Sequence, residues 1–200
     1  LPSFQRVPTK VAVGVVGESM MPLEAVAGDK LTGFSGDLLR QLLPQDRVRI
    51  VPRVFSRRDE LLNAACRGEV DIIMSVVPRS QYDRCLEYSA PYLERATAVV
   101  ARNDNARVAQ NPFFTDARIA VEQGSPLVEE LPRQYPKIRV QTTPTATDAL
   151  DAVLRGAADA YVGITYPTRE LMLQPRYRPL SIVQLVNQQV DALHFAAPRE

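Results

Sequence analysis

The sequence predicts an α/β fold made of two related lobes with mostly parallel sheets. Apolar strands alternate with helices along most of the 200 residues, an order typical of parallel sheets flanked by helices. Two segments are also similar: Arg67–Ser75 and Arg155–Gly163 each continue from a helix end through Arg-Gly, two residues and an Asp into an apolar strand. This repetition indicates two units built on one plan.

The first half of the chain predicts three strands and two helices. Apolar or alternating runs indicate strands, and apolar residues at helical spacing before Pro44 and Gly68 indicate helices that end there. Pro52 interrupts the second strand, which places that strand near a sheet edge. The predicted strands are 10–16, 48–54 and 70–77, and the predicted helices are 34–43 and 58–67.

The second half begins after an apolar run at 97–101 and a polar linker at 102–106. The same patterns predict strands at 117–121, 138–141 and 158–163, helices at 125–134 and 147–155, and a last apolar run at 190–196. Ligands of parallel sheets bind outside the carboxyl ends of the strands. We therefore expect a site formed by the loops that follow Val16, Val77, Val121 and Gly163.

Composition excludes several classes of function. The 24 basic and 23 acidic residues leave a net charge of +1, and no basic surface interleaved with aromatics suggests nucleic acid. No apolar run approaches the ~20 residues of a membrane span. Residues 1–5 lack the features of a signal peptide, so we expect a mature or excised piece.

No catalytic or metal-binding motif occurs in the sequence. A nucleophile elbow, a P-loop and a dinucleotide fingerprint are all missing. The only histidine, His194, lies in a predicted strand where packing is its expected role, and neither cysteine has a partner at zinc spacing. We expect no enzyme activity, no cofactor and no metal, with a cleft acid such as Glu122 as the minor enzymatic alternative.

Five short motifs occur in one order along the chain. They are Met21–Leu23, the Gly-Phe-Ser-Gly-Asp-Leu run within Leu31–Leu39, Arg67–Asp71, Tyr88–Tyr92 and Ala158–Val162. Together they resemble the family 3 periplasmic solute-binding proteins, two-lobed receptors built like a Venus flytrap. The resemblance implies lobe 1 at 1–98 plus 190–200, lobe 2 at 102–188, and hinge strands at about 97–101 and 192–196.

Two departures from the family pattern concern the ligand. Family members that bind amino acids place an arginine after the strand to grip the α-carboxylate; here Tyr82 stands at that position, and Arg79 is the nearest substitute. The family also supplies an aspartate for the α-ammonium, and here Ile164 stands in its place, so a buried ammonium would lose its partner. We expect an amino acid-like ligand or organic anion rather than a standard α-amino acid.

The candidate ligand-binding residues follow from family positions and strand ends, and each has a plainer alternative. Gly124 and Ser125 open a helix whose free N–H groups suit an anion, but they equally suit an ordinary helix start. The other candidates are equally compatible with core packing, loop packing or solvent exposure. The full set is Met20, Met21, Phe55, Ser75, Arg79, Tyr82, Glu122, Gly124, Ser125 and Thr165.

Two cysteines, Cys66 and Cys85, allow two states. An even number of cysteines in an exported protein suggests a disulfide, which would add about 3 kcal/mol by closing the loop between them. The alternative is two separate buried thiols.

The leading functional hypothesis is a periplasmic small-molecule-sensing domain of a membrane signalling protein, similar to the flytrap domains of hybrid sensor histidine kinases. The missing amino-acid anchors and the compact segment after Val77 favour it. The alternative is the solute-binding component of an ABC importer for an amino acid or small organic anion. The implied partners are the solute and the remainder of a sensor kinase or an ABC permease, and a homodimer is left open.

Overall fold

The structure is a computed structural model that describes residues 9–17, 20–94, 96–113, 116–186 and 192–199. It contains a six-stranded sheet, a five-stranded sheet and a two-stranded hairpin. We call the first sheet with its helices lobe 1 (9–94 and 192–199) and the second sheet with its helices lobe 2 (96–186). The predicted α/β architecture of two lobes is confirmed.

Lobe 1 is built around three parallel strands. Its elements are β1 Thr9–Val16, β2 Ala25–Ala27, β3 Lys30–Thr32, α1 Phe34–Leu42, β4 Val48–Phe55, α2 Arg58–Cys66, β5 Ile72–Val76, β6 Leu86–Tyr88 and β7 Leu93–Glu94. The strands β4, β1 and β5 are parallel neighbours in that order. As Pro52 predicts, β4 forms the sheet edge, where a residue without an N–H interrupts no ladder.

Lobe 2 repeats this plan. Its elements are β8 Thr97–Arg102, α3 Ala106–Gln110, β9 Arg118–Glu122, α4 Leu127–Gln134, β10 Arg139–Thr143, α5 Ala146–Leu154, β11 Ala160–Ile164, α6 Thr165–Met172 and β12 Leu180–Val186. The parallel strands are β10, β9 and β11, and β8 lies antiparallel between β11 and β12. In each sheet the carboxyl ends of the three parallel strands therefore lie on the same side.

The chain passes between the two sheets twice, between 94 and 97 and between 186 and 192. After the second passage β13 (Ala192–Pro198) returns to lobe 1, where it pairs antiparallel with β5, β6 and β7. Hydrogen bonding assigns β8 wholly to lobe 2 and β13 wholly to lobe 1. Residues 190 and 191 of the predicted last run, and the outer parts 1–8 and 200 of predicted lobe 1, lie outside the described residues.

Each lobe has its own apolar core. In lobe 1 the residues Leu61, Ile73 and Leu193 join α2, β5 and β13, and in lobe 2 Leu150 and Tyr161 join α5 and β11. Burial of such side chains contributes about 1.5–3 kcal/mol each. The buried residues of each core come from a single lobe, and the partly buried Ile164 of lobe 2 packs against the lobe 1 core.

A disulfide bond joins Cys66 at the end of α2 to Cys85 just before β6, with an S–S distance of 2.00 Å. Of the two states that the sequence allowed, the structure has the bridge. The loop that it closes contains β5, the central strand of the lobe 1 sheet. The bond therefore links the segment before this strand to the segment after it. Among the described helices, none is long and apolar enough to cross a membrane.

Candidate functional site

A cleft lies between the two lobes. The carboxyl ends of β4 and β5 border it in lobe 1, and those of β9 and β11 border it in lobe 2. Its walls include Met20, Arg58 and Ser75 from lobe 1 and Glu122 and Ile164 from lobe 2. The remaining cavity is about 30 Å³, room for about two water molecules. Side chains of the protein itself therefore fill most of the space between the lobes.

Arg58 fills the centre of this cleft. It is the first residue of α2, is only 8% exposed, and extends towards lobe 2. Its Nε lies 3.5 Å from Glu122 Oε2, its Nη1 lies 3.5 Å from the Ser75 carbonyl oxygen, and its Nη2 contacts the sulfur of Met20. The guanidinium thus joins the two lobes by a long ion pair.

Two buried carboxyl groups surround this guanidinium. Burial raises the pKa of Glu24 to about 8, although Arg58 and the backbone of Val16 oppose the change and Glu122 adds to it. Burial also raises the pKa of Glu122, again against the attraction of Arg58. At neutral pH Glu24 is therefore mainly protonated, and Glu122 is the carboxyl group that lies within ion-pair distance of Arg58.

Ser75 presents its backbone, not its side chain, to the cleft. Its φ of 54° lies in the left-handed region that non-glycine residues rarely adopt, and this turns its carbonyl towards Arg58. Its Oγ lies 3.0 Å from Ser35 Oγ, and its N–H donates to Tyr92 Oη at 2.9 Å. This buried hydrogen-bond group holds the unusual backbone in place.

Gly124 and Ser125 form the lobe 2 side of the cleft before α4. A Cβ atom on Gly124 would lie 3.3 Å from Arg58 Cγ, so a larger residue there would require the lobe 1 atoms opposite it to shift. Ser125 Oγ accepts a hydrogen bond from Leu127 N at 3.3 Å. The hydroxyl therefore serves the start of α4, which was the plainer of its two predicted roles.

A second ion pair crosses the cleft at its rim. Arg79 Nη2 lies 3.0 Å from Glu129 Oε1 of α4, and the Arg79 side chain is only 8% exposed. Its guanidinium carbon also lies 5.7 Å from the ring centroid of Tyr82. Arg79 is therefore bound to lobe 2 and to its own lobe, instead of facing a free space in the cleft.

The structure brings five of the ten predicted residues to the cleft wall: Met20, Ser75, Glu122, Gly124 and Ser125. The other five lie elsewhere. Arg79 is at the rim, Met21 is exposed beside Leu173, Phe55 and Tyr82 pack in the lobe 1 core, and Thr165 donates from Oγ1 to the Ala96 carbonyl at 2.7 Å. Apart from the exposed Met21, these side chains are therefore held by contacts within the protein.

Sequence reasoning missed the two groups that define the charge of the cleft, Arg58 and Glu24. One signal for Arg58 was available: a cation at the first position of a helix opposes the helix dipole, so another partner must hold it there. Glu24 carried no comparable signal, because it lies in a loop segment between Leu23 and Ala25. Among the described residues no group of three or more metal-binding side chains occurs.

Two lobes that face each other across a cleft, joined by two crossings of the chain, define a flytrap-type solute-binding domain. The chain belongs to the bacterial extracellular solute-binding proteins, family 3, whose model matches residues 11–193. The recognition of this family from its motifs is confirmed.

Individual relatives include both a sensor and an enzyme. The chain is 24% identical over 173 residues to the virulence sensor protein BvgS of Bordetella pertussis, a match that covers 86% of the chain and 14% of BvgS. It is 27% identical over 156 residues to the membrane-bound lytic murein transglycosylase F of Pseudomonas putida, covering 74% of the chain and 31% of that protein. The chain thus spans less than a third of either relative.

The fold is also that of a solved sensor domain. The crystal structure of the periplasmic VFT2 domain of B. pertussis BvgS superposes with a TM-score of 0.82 at 21% identity, covering 95% of this chain and 81% of that one. The two domains therefore share one fold over nearly all of this chain.

Proposed function

We propose that this chain is a periplasmic sensory domain of a membrane signalling protein of the sensor histidine kinase type, which binds a small solute between its lobes. The observation that carries the proposal is the similarity to the virulence sensor BvgS, which extends over both lobes and the cleft between them. The remainder of such a kinase is the proposed partner, and a homodimer would form through it.

The proposed signal is the relative position of the two lobes. The buried core residues of each lobe come from that lobe alone, so we propose that each lobe moves as a rigid body about the predicted hinge strands, 97–101 and 192–196. Across the cleft the lobes are joined by exchangeable contacts, the ion pairs Arg58–Glu122 and Arg79–Glu129. A solute that binds one arrangement better than the other would shift the population of the two states.

The cleft does not favour a standard α-amino acid. Ile164 lines the wall where the family supplies a carboxylate, and Arg79, the predicted carboxylate grip, is bound to Glu129. Among the described residues of the wall, no unpaired arginine is therefore left to bind the carboxylate of an amino acid-like ligand or organic anion.

The proposal also covers the location of the domain in the periplasm and its lack of enzyme activity. A disulfide between Cys66 and Cys85 suits the oxidising periplasm. The family fold supports binding without chemistry, and we propose that the domain is not an enzyme, even though one relative is a transglycosylase. In that relative the matched part is less than a third of the chain.

Autophosphorylation of the membrane-bound full-length protein tests the proposal. We expect Glu122→Ala, which removes the lobe 2 partner of Arg58, to change the rate of phosphate incorporation several-fold. Asp46→Ala is the control, because Asp46 is exposed and its ion-pair partner among the described residues is its neighbour Arg47. Absence of any phosphorylation, together with solute uptake that depends on a permease, would replace the sensor by the importer alternative.

A further inference from the structure

We propose that Arg58 is an intramolecular ligand: its guanidinium occupies a cation site between the lobes, and a solute that carries a guanidinium or amine group signals by taking its place at Glu122. This inference deepens the proposed function and rests on it, because it names the class of solute that the cleft recognises.

The first argument is the position of the side chain. Arg58 belongs to lobe 1, yet it is buried against lobe 2 through Glu122. At the start of α2 its charge opposes the helix dipole, and burying a charge is costly unless it is paired. Separation of the lobes would break the pair, so Arg58 favours the arrangement in which the lobes meet.

The second argument is the chemistry of the surroundings. The groups around the guanidinium are acceptors: Glu122 Oε2, the Ser75 carbonyl oxygen and the sulfur of Met20. One more acceptor, Glu122 Oε1, is buried with no hydrogen-bond partner among the described residues, and Glu24 Oε2, of a carboxyl group that is mainly protonated, is buried without a partner as well. A site rich in buried acceptors selects a group that donates several hydrogen bonds, and guanidinium is such a group.

The third argument is space. The cavity left beside Arg58 is about 30 Å³, which admits about two water molecules and excludes a molecule of amino-acid size. A solute can reach Glu122 only when the Arg58 side chain leaves. Solute and side chain therefore compete for one carboxylate, and the side chain has the advantage of a high effective concentration because it is tethered.

The test uses the 200-residue chain and methylguanidinium chloride as the probe. Arg58→Ala empties the site, so we expect a lower Tm and a larger radius of gyration in small-angle scattering. Millimolar methylguanidinium should then raise the Tm of this variant by about 5 °C and restore the smaller radius. The parent chain should need a higher concentration of methylguanidinium for a rise in Tm, because its own tethered guanidinium competes with the probe for Glu122.

Three controls isolate the site. Arg57→Ala should behave as the parent, because Arg57 pairs with Asp59 and Glu60 of its own helix. Tetramethylammonium chloride, a cation without hydrogen atoms to donate, should not rescue Arg58→Ala. The double variant Arg58→Ala/Glu122→Ala should lose the response to methylguanidinium.

Each remaining outcome decides the matter. If Arg58→Ala fails to fold, Arg58→Ser replaces it, because this small side chain also leaves the guanidinium site empty. An Arg58 variant that keeps the parent radius, or a parent that responds as strongly as the variant, would overturn the inference while leaving a sensory role intact. Rescue by methylguanidinium with unchanged autophosphorylation would instead support the site and contradict the sensor.

Discussion

Gly124 lies so close to the first turn of α2 that a Cβ atom on it would stand 3.2 Å from the backbone nitrogen of Asp59. The two residues belong to different lobes, and the neighbouring atom is backbone, which cannot rotate away. This approach therefore measures how tightly the lobes meet.

We expect Gly124→Ala to separate the lobes. Alanine at this position meets two obstacles, a φ of 88° and the backbone of Asp59. Gly156→Ala is a matched control, since Gly156 has a φ of 74° and no atom within 4 Å of an added Cβ. Both variants should lose about 1–2 kcal/mol from the left-handed conformation. Only Gly124→Ala should also increase the radius of gyration, and equal radii for the two variants would contradict the contact.

Stability should fall as the pH rises from about 5 to about 8. The pKa of Glu24 is about 8 in the folded state against an ordinary value of 4.5, so between these values the folded chain holds a proton that the unfolded chain has lost. The slope approaches about 1.4 kcal/mol per pH unit. Glu122, whose pKa is also raised, makes this slope steeper. The attraction of Arg58 lowers the pKa of both carboxyl groups and so makes the slope shallower.

Glu24→Gln checks this expectation, because glutamine has a similar shape and no proton to release. Chemical unfolding followed from pH 4 to pH 9 should show a shallower slope for the variant, with the part due to Glu122 remaining. A variant that keeps the full slope of the parent would show that Glu24 is not its source.

Tyr92→Phe should destabilise lobe 1 behind the cleft. The Tyr92 hydroxyl accepts from Ser75 N at 2.9 Å and lies 2.7 Å from Ser35 Oγ. Its loss leaves a buried N–H without an acceptor, at a cost of about 1–3 kcal/mol. The ring stacked on Phe195 is retained, so packing is conserved. In urea unfolding, the exposed Tyr166→Phe serves as the control and should change stability by less than about 0.5 kcal/mol.

Removal of the disulfide should lower the stability of lobe 1. The bond between Cys66 and Cys85 spans 19 residues, for which loop entropy predicts a loss of about 3 kcal/mol in the double variant Cys66→Ser/Cys85→Ser. A reducing agent should lower the Tm of the parent to a similar value and leave that of the double variant unchanged. A parent that is insensitive to reduction would contradict this.

Most of the elements could be predicted because their signals are local. The helix α5 begins and ends within one residue of the predicted 147–155, since Thr145 caps it and Gly156 ends it. The strand β12 was not predicted, because apolar and polar residues alternate little along this edge strand. The helix α6 was not predicted, because it follows β11 without a break and contains Pro167. Edge strands and helices without caps carry weak patterns.

The site was harder to predict than the fold. Strand ends indicated the positions of Ser75 and Glu122, because sheet topology places them at one edge. The direction in which each group points depends on tertiary structure: at Ser75, where φ is 54°, the side chain lies at Ser35 and the carbonyl oxygen lies at Arg58. The reach of Arg58 across the cleft depends on how the lobes meet, which no local pattern encodes.

The bond between Cys66 and Cys85 also has a consequence for the time at which the domain becomes competent. The loop that it closes carries both Ser75, whose carbonyl oxygen contacts Arg58, and Arg79, which pairs with Glu129 of lobe 2. Before oxidation this loop is held by strand pairing and packing, without a covalent bond. A newly made copy therefore reaches its full stability only once these two thiols have been oxidised.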